Sequence, residues 1–97
     1  SRLQGRIRAS ELRQHRGKSL LFAGWLLSGK LVSTKTGEAM EFLTFEDETG
    51  LGETTFFPEV YRRYAACLLS GFPYMLRGTV EEEYGALTLT VETVRRL

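Results

Sequence analysis

The chain has one cysteine and one histidine. A single thiol excludes a disulfide scaffold, and one of each is too few for a Cys/His zinc site. The lone thiol suits a reducing cytoplasm. Long apolar runs are also missing. The longest, Leu20 to Leu27 (LLFAGWLL), is eight residues, where a membrane helix needs about 18, so no membrane partner is expected. Nor is there an excess of charge. Thirteen bases against twelve acids leave +1, so no global field advertises a polyanion partner. No signal-peptide pattern is read at the start, and the first residue is not Met. The expectation is therefore a piece of a longer protein.

What is present is enough for one small domain: 97 residues, 42% of them hydrophobic, able to build a core while much of the surface stays wet. The near-zero total conceals a strong asymmetry. Residues 1–18 carry six bases against Glu11, for +5. Residues 36–60 carry seven acids and no base, for −7. Any anion-binding surface must be local, and the rival expectation is an ordinary solvated surface of mixed sign.

Ser10-Glu11-Leu12 reads as a short helix start with Ser10 as N-cap, stopped at Gly17. Leu20 to Val32 reads as a long strand, with Gly24 and Gly29 marking a bulge or bend. Ser33 to Glu38 is a polar turn. Ala39 to Asp47 alternates, with Leu43 and Phe45 on the core face and Phe42 and Thr44 on the outer face. Glu48-Thr49-Gly50 connects it to a third strand, Leu51 to Phe57. Pro58 suits a helix N-terminus, Val60, Tyr61, Tyr64, Ala65, Leu68 and Leu69 recur at helical spacing, and Gly71 fits a stop. Phe72 to Glu81 is a fourth strand, Glu82 to Ala86 a turn, and Leu87 to Val94 a fifth strand.

The order is β-β-β-α-β-β. The expected class is all-β with one helix: the five-stranded Greek-key barrel called the OB-fold, preceded by a short N-terminal helix. Residues 1–19 form the lead-in and residues 20–97 the OB-fold domain.

Three segments then carry a family resemblance: Phe42-Leu-Thr-Phe-Glu-Asp-Glu-Thr-Gly50, Phe57-Pro-Glu-Val-Tyr61 and Leu76-Arg-Gly-Thr-Val80. Together they resemble the OB domain near the C-terminus of the bacterial DNA polymerase III alpha subunit, a family C DNA polymerase. The resemblance runs from about Leu20 to Val94, and the early ending after strand five is similar to the error-prone members. The first segment alone occurs across OB domains, including those of aminoacyl-tRNA synthetases. The Phe-Pro-Glu-Val-Tyr entry to the helix points to the polymerase. The resemblance implies a single-stranded DNA-binding module that positions the template strand. The polymerase carboxylates would lie in another domain, so this one is expected to carry no catalysis and no cofactor. Other domains of the parent polymerase and replisome proteins are expected partners.

OB-folds bind single strands on strands two and three, flanked by the loops between strands one and two and strands four and five. That chemistry needs flat side chains for stacking and cations for phosphates. Phe42, Phe57 and Tyr84 are the candidate stackers. Thr44 and Thr55 offer hydroxyls. Lys30 and Lys35, with Thr34, sit in and beside the first loop, and Arg77 lies on the polar face of strand four. Each has a plainer alternative: core packing for the two phenylalanines, loop cations for the lysines, an incidental turn residue for Tyr84. Arg62 and Arg63 read as the wet face of the helix, Cys67 as buried packing and His15 as a surface residue. Glu46, Asp47 and Glu48 are clustered acids. Neighbours on a strand point to opposite faces, however, so no metal site is expected, and Asp47 is expected to accept backbone hydrogen bonds in the turn.

The chain departs from the polymerase pattern. Its first loop has two bases beside the apolar Leu31-Val32 pair, strand three has Gly52 and Thr54 where branched apolar residues are usual, and the second loop carries Glu81-Glu82-Glu83. The expectation is weak, salt-sensitive binding. A protein-interaction OB domain and an RNA- or tRNA-binding one remain the alternatives.

Overall fold

The computed structural model describes residues 6–83 and 85–97. The expectation for Tyr84 lies outside the described residues. Among the described residues six strands form: β1 (Arg6–Ile7), β2 (Ser19–Ser33), β3 (Ala39–Asp47), β4 (Gly50–Phe56), β5 (Pro73–Glu83) and β6 (Ala86–Arg96). Helix α1 (Pro58–Tyr64) lies between β4 and β5, and a 3-10 helix (Ala9–His15) follows β1. The sheet order is β1-β2-β3-β4-β6-β5, and β2 also pairs with β5. Strands β2 to β6 therefore close on themselves as the expected five-stranded OB barrel, while β1 adds a short parallel strip to β2 at Leu21 and Phe22.

One strand serves both halves of the barrel. The first half of β2, Ser19 to Trp25, pairs with β5, and the second half, Trp25 to Ser33, pairs with β3. The handover needs a close approach at Gly24. A Cβ there would lie 3.1 Å from both the Glu46 carbonyl oxygen and the Phe45 Cβ. A register shift between Leu26 and Ser28 follows, so the bulge lies between the two glycines rather than at either of them.

The core joins Phe22, Leu43, Phe45, Phe56, Tyr74, Leu76, Val80, Leu89 and Val91, with Leu12 from the lead-in. Gly52 departs from the usual branched residue for a packing reason. A Cβ there would sit 2.8 Å from the Phe22 ring, so Phe22 fills the space a side chain would take.

Local expectations fail in several places. Arg8, not Ser10, is the N-cap of the 3-10 helix. Its first-turn N–H groups are satisfied from outside: Ala9 N–H donates to Asp47 Oδ2 (2.7 Å) and Ser10 N–H to Thr49 Oγ1 (3.0 Å). Phe57 is the N-cap of α1 rather than part of a strand. The helix ends well before Gly71, passing through a single 3-10 turn, Ala65–Cys67. Tyr74 explains this, because its hydroxyl donates to the Cys67 carbonyl (2.6 Å) and accepts from Leu69 N–H (2.8 Å). Those backbone groups then have partners without a further helical turn. As a result Cys67 is exposed rather than buried.

Candidate nucleic-acid interface

Register assembles one face from distant residues. Across β2, β3, β4 and β6, Lys30 pairs with Phe42, Phe42 with Thr55, and Thr55 with Thr90. Residues directly opposite in adjacent strands share a face. Next to this row run Ser28, Thr44 and Glu53. Phe42 is 44% exposed and Phe57 48% exposed, so both rings stand partly in solvent rather than in the core. They line one cleft of about 150 Å³, together with Thr55, Glu81, Thr88 and Thr90.

The hydroxyls are less available than the sequence suggests. Thr44 Oγ1 donates to Glu53 Oε1 (2.7 Å). Thr55 is buried, with its hydroxyl bonded to that of Thr88 (2.8 Å). Thr34 Oγ1 accepts from Glu38 N–H (3.1 Å) and bonds to Thr36 Oγ1 (3.1 Å), holding the β2–β3 turn. Each threonine thus has an internal partner.

The cations divide differently. Lys30 lies on β2 itself, in register with Phe42, and Lys35 lies in the β2–β3 turn. Both are exposed, and no ion pair among the described residues includes either one. Arg77 is exposed on β5 opposite Leu21 and Thr93. It sits beside the first half of β2, away from the Lys30–Phe42 row.

The acids are not one repulsive cluster either. β5 runs on to Glu83, past its expected end at Glu81, so Glu82 belongs to the strand rather than to the expected turn Glu82 to Ala86. Glu81 lines the cleft. Glu82 points to the lead-in, where Arg16 pairs with it and Arg13 approaches to 3.9 Å. On β3, burial pushes the Glu41 carboxyl above its ordinary value.

A second surface escaped the sequence reading. Trp25 is 53% exposed and Leu51 55% exposed. Register aligns Pro73, Trp25, Glu46 and Leu51 across the barrel. A groove of about 540 Å³ runs beside Trp25, between Ala23, Pro73 and Leu97 and the acids Glu46 and Glu48. Trp25 lies in the longest apolar run, read from the sequence only as part of a long strand. Its exposure follows from the strand handover, which no local pattern reveals.

Comparison with known proteins fits this geometry. The chain is 34% identical over 97 residues to the error-prone DNA polymerase of Symbiobacterium thermophilum, covering 97% of this chain and 9% of that protein. It is 43% identical over 65 residues to the DNA polymerase III subunit alpha of Bacillus subtilis, covering 66% of this chain and 6% of that one. The chain therefore spans less than a tenth of the length of these curated relatives. Among solved structures, an OBody bound to hen egg-white lysozyme superposes with a TM-score of 0.75 at 16% identity, covering 97% of this chain and 92% of the other. That likeness concerns the fold alone. The sequence profile of the OB-fold nucleic acid binding domain matches residues 2–97, and the chain belongs to that family.

Proposed function

We propose that this domain binds single-stranded DNA within a DNA polymerase III alpha-type enzyme and positions the template strand. The observation that carries the reading is the pair of half-exposed rings, Phe42 and Phe57, on one cleft with Lys30 in register beside them. Stacking on an aromatic ring is worth about 1–3 kcal/mol per base. Lys30 and Lys35 supply the phosphate charge. The polymerase chemistry itself belongs to the parent chain, acting in the cytoplasm among replisome proteins. Fluorescence anisotropy with a labelled mixed-sequence oligonucleotide at low salt tests the reading. Binding that weakens about tenfold or more in Phe42→Ala plus Lys35→Ala is expected. Absence of binding at several hundred micromolar, or an unchanged affinity in the variant, overturns it.

A second reading rests on Trp25 and Leu51: a docking surface for another domain of the parent polymerase. Chemical-shift mapping separates the two. Oligonucleotide shifts at Phe42 and Thr55 favour DNA on β3 and β4, whereas partner-domain shifts around Trp25 and Leu51 favour docking. An RNA role is tested in the same titration with an RNA oligonucleotide of matched sequence.

A further inference from the structure

We infer that the Trp25 groove takes a basic side chain, arginine or lysine, from the protein segment that docks there. The inference rests on the docking reading of Trp25 and Leu51 and adds the chemistry of the occupant to it.

Three residues form the recognition row. Register puts Trp25 opposite Glu46 and Glu46 opposite Leu51. Residues so paired share a face, with Cβ atoms about 5 Å apart. All three are exposed, so a carboxylate stands between two apolar side chains open to solvent. A wholly apolar partner would cover Trp25 and Leu51 but leave that carboxylate desolvated and unpaired, which is costly. A phosphate chain would be repelled by it. Arginine and lysine join an apolar stem to a cationic head, so one side chain satisfies the whole row. The stem packs on Leu51, and the head reaches both the carboxylate and the indole face, which attracts a cation.

The acids of the groove are not equivalent. Glu48 already meets Arg6 and Arg8 at 3.6 and 3.5 Å. Asp47 is taken up by N–H groups of its own turn and of Ala9. Glu46 has no ion pair among the described residues. The groove holds about 540 Å³, and Arg6 is one of its walls, so its acidic rim already accepts one guanidinium. The residue before Pro73 displays the other half of the contact: the Arg96 guanidinium lies 3.9 Å from the centre of the Phe72 ring. At Trp25 and Glu46 an incoming cation finds ring and carboxylate together, with no resident cation to displace from the acid.

Trp25 is the only tryptophan of the chain, so its emission reports on the groove itself. The test titrates the domain at low salt with three capped peptides, Gly-Leu-Arg-Leu-Gly and its Gln and Glu counterparts, up to millimolar concentration. Wild type is compared with Glu46→Gln and with Glu59→Gln, an exposed acid on α1, each checked for an unchanged melting temperature. The arginine peptide is expected to change the emission saturably and to bind about fivefold more tightly than the glutamine peptide. That preference should vanish in Glu46→Gln and persist in Glu59→Gln. Equal binding of the arginine and glutamine peptides, or no saturable change with either, overturns the inference, while docking still stands on partner-domain shifts. A preference that survives Glu46→Gln, or that Glu59→Gln removes equally, also overturns it, because the attraction is then one of overall charge. An oligo-dT that changes the emission and competes with the arginine peptide overturns it by assigning the groove to DNA. Partner-domain shifts that miss Trp25 and Leu51 overturn both readings.

Discussion

Asp47 holds a turn together. Its Oδ1 accepts from Thr49 N–H (2.8 Å), the Thr49 hydroxyl (2.7 Å) and Gly50 N–H (3.2 Å), while Oδ2 accepts from Ala9 N–H. Burial pushes the carboxyl up, but those hydrogen bonds outweigh it and leave the group below the ordinary aspartate range. The unfolded chain therefore takes up the proton first as pH falls. The stabilisation is complete above the unfolded value of about 3.9 and fades as pH drops through the lowered folded value. Asp47→Ala is expected to cost about 2–3 kcal/mol at neutral pH, since it strands several N–H groups at once. Urea denaturation of wild type and variant at neutral and acid pH checks this, and the gap should narrow in acid. A gap that stays constant would mean the carboxylate charge is irrelevant. This turn was legible in the sequence, because Asp two residues before a Thr-Gly connection is a local signal. The threonines at 34, 44 and 55 were not, because their partners Glu38, Glu53 and Thr88 are fixed by turn and strand register.

At the scale of elements, the sequence was read well wherever alternation is local. The bounds of β3 match the expected Ala39–Asp47, and its buried Leu43 and Phe45 lie opposite the exposed Phe42. Elements that lean on distant partners were read less well. The early end of α1 depends on Tyr74, and the cap of the lead-in helix depends on Asp47 and Thr49. Tyr74 is fully buried, and its ring meets Phe45 edge-on at 6.2 Å between centroids. Tyr74→Phe keeps the ring but removes the hydroxyl, leaving the Cys67 carbonyl and Leu69 N–H without that partner. A loss of about 1–3 kcal/mol is expected by denaturant titration, with amide exchange faster at Leu69 and little changed in β3. The lead-in is bound to the barrel in the same way. Leu12 is 5% exposed and packs in the core beside Phe22. Leu12→Ala should cost about 2–4 kcal/mol, as large-to-small core changes do. A cost under about 0.5 kcal/mol would show that the lead-in contributes little to folding.

For the whole molecule, the folded chain rearranges the charge pattern seen along the sequence. The basic lead-in faces the acids: Arg6 and Arg8 approach Glu48 at 3.6 and 3.5 Å, and Arg13 and Arg16 meet Glu82. On the helix, Arg62 meets Glu38 at 3.2 Å. These exposed pairs add little stability each, but they reduce the field the arginines present to a polyanion. Among the described residues the cations left on the candidate face are Lys30 and Lys35. Each phosphate neutralised on a single strand contributes about −0.7 to the slope of log K against log salt. Two such contacts give about −1.4, a shallow dependence for a nucleic-acid binder. Lys30→Ala and Lys35→Ala should each flatten the slope by about 0.7. Arg16→Ala should leave it unchanged, because that guanidinium is turned to Glu82. A wild-type slope of about −3 or steeper would need four or more phosphate contacts, and hence a second basic patch such as Arg62, Arg63 or Arg77. A slope near the smaller value would mean that two cations make the phosphate contacts and that the stacking rings supply the rest of the affinity.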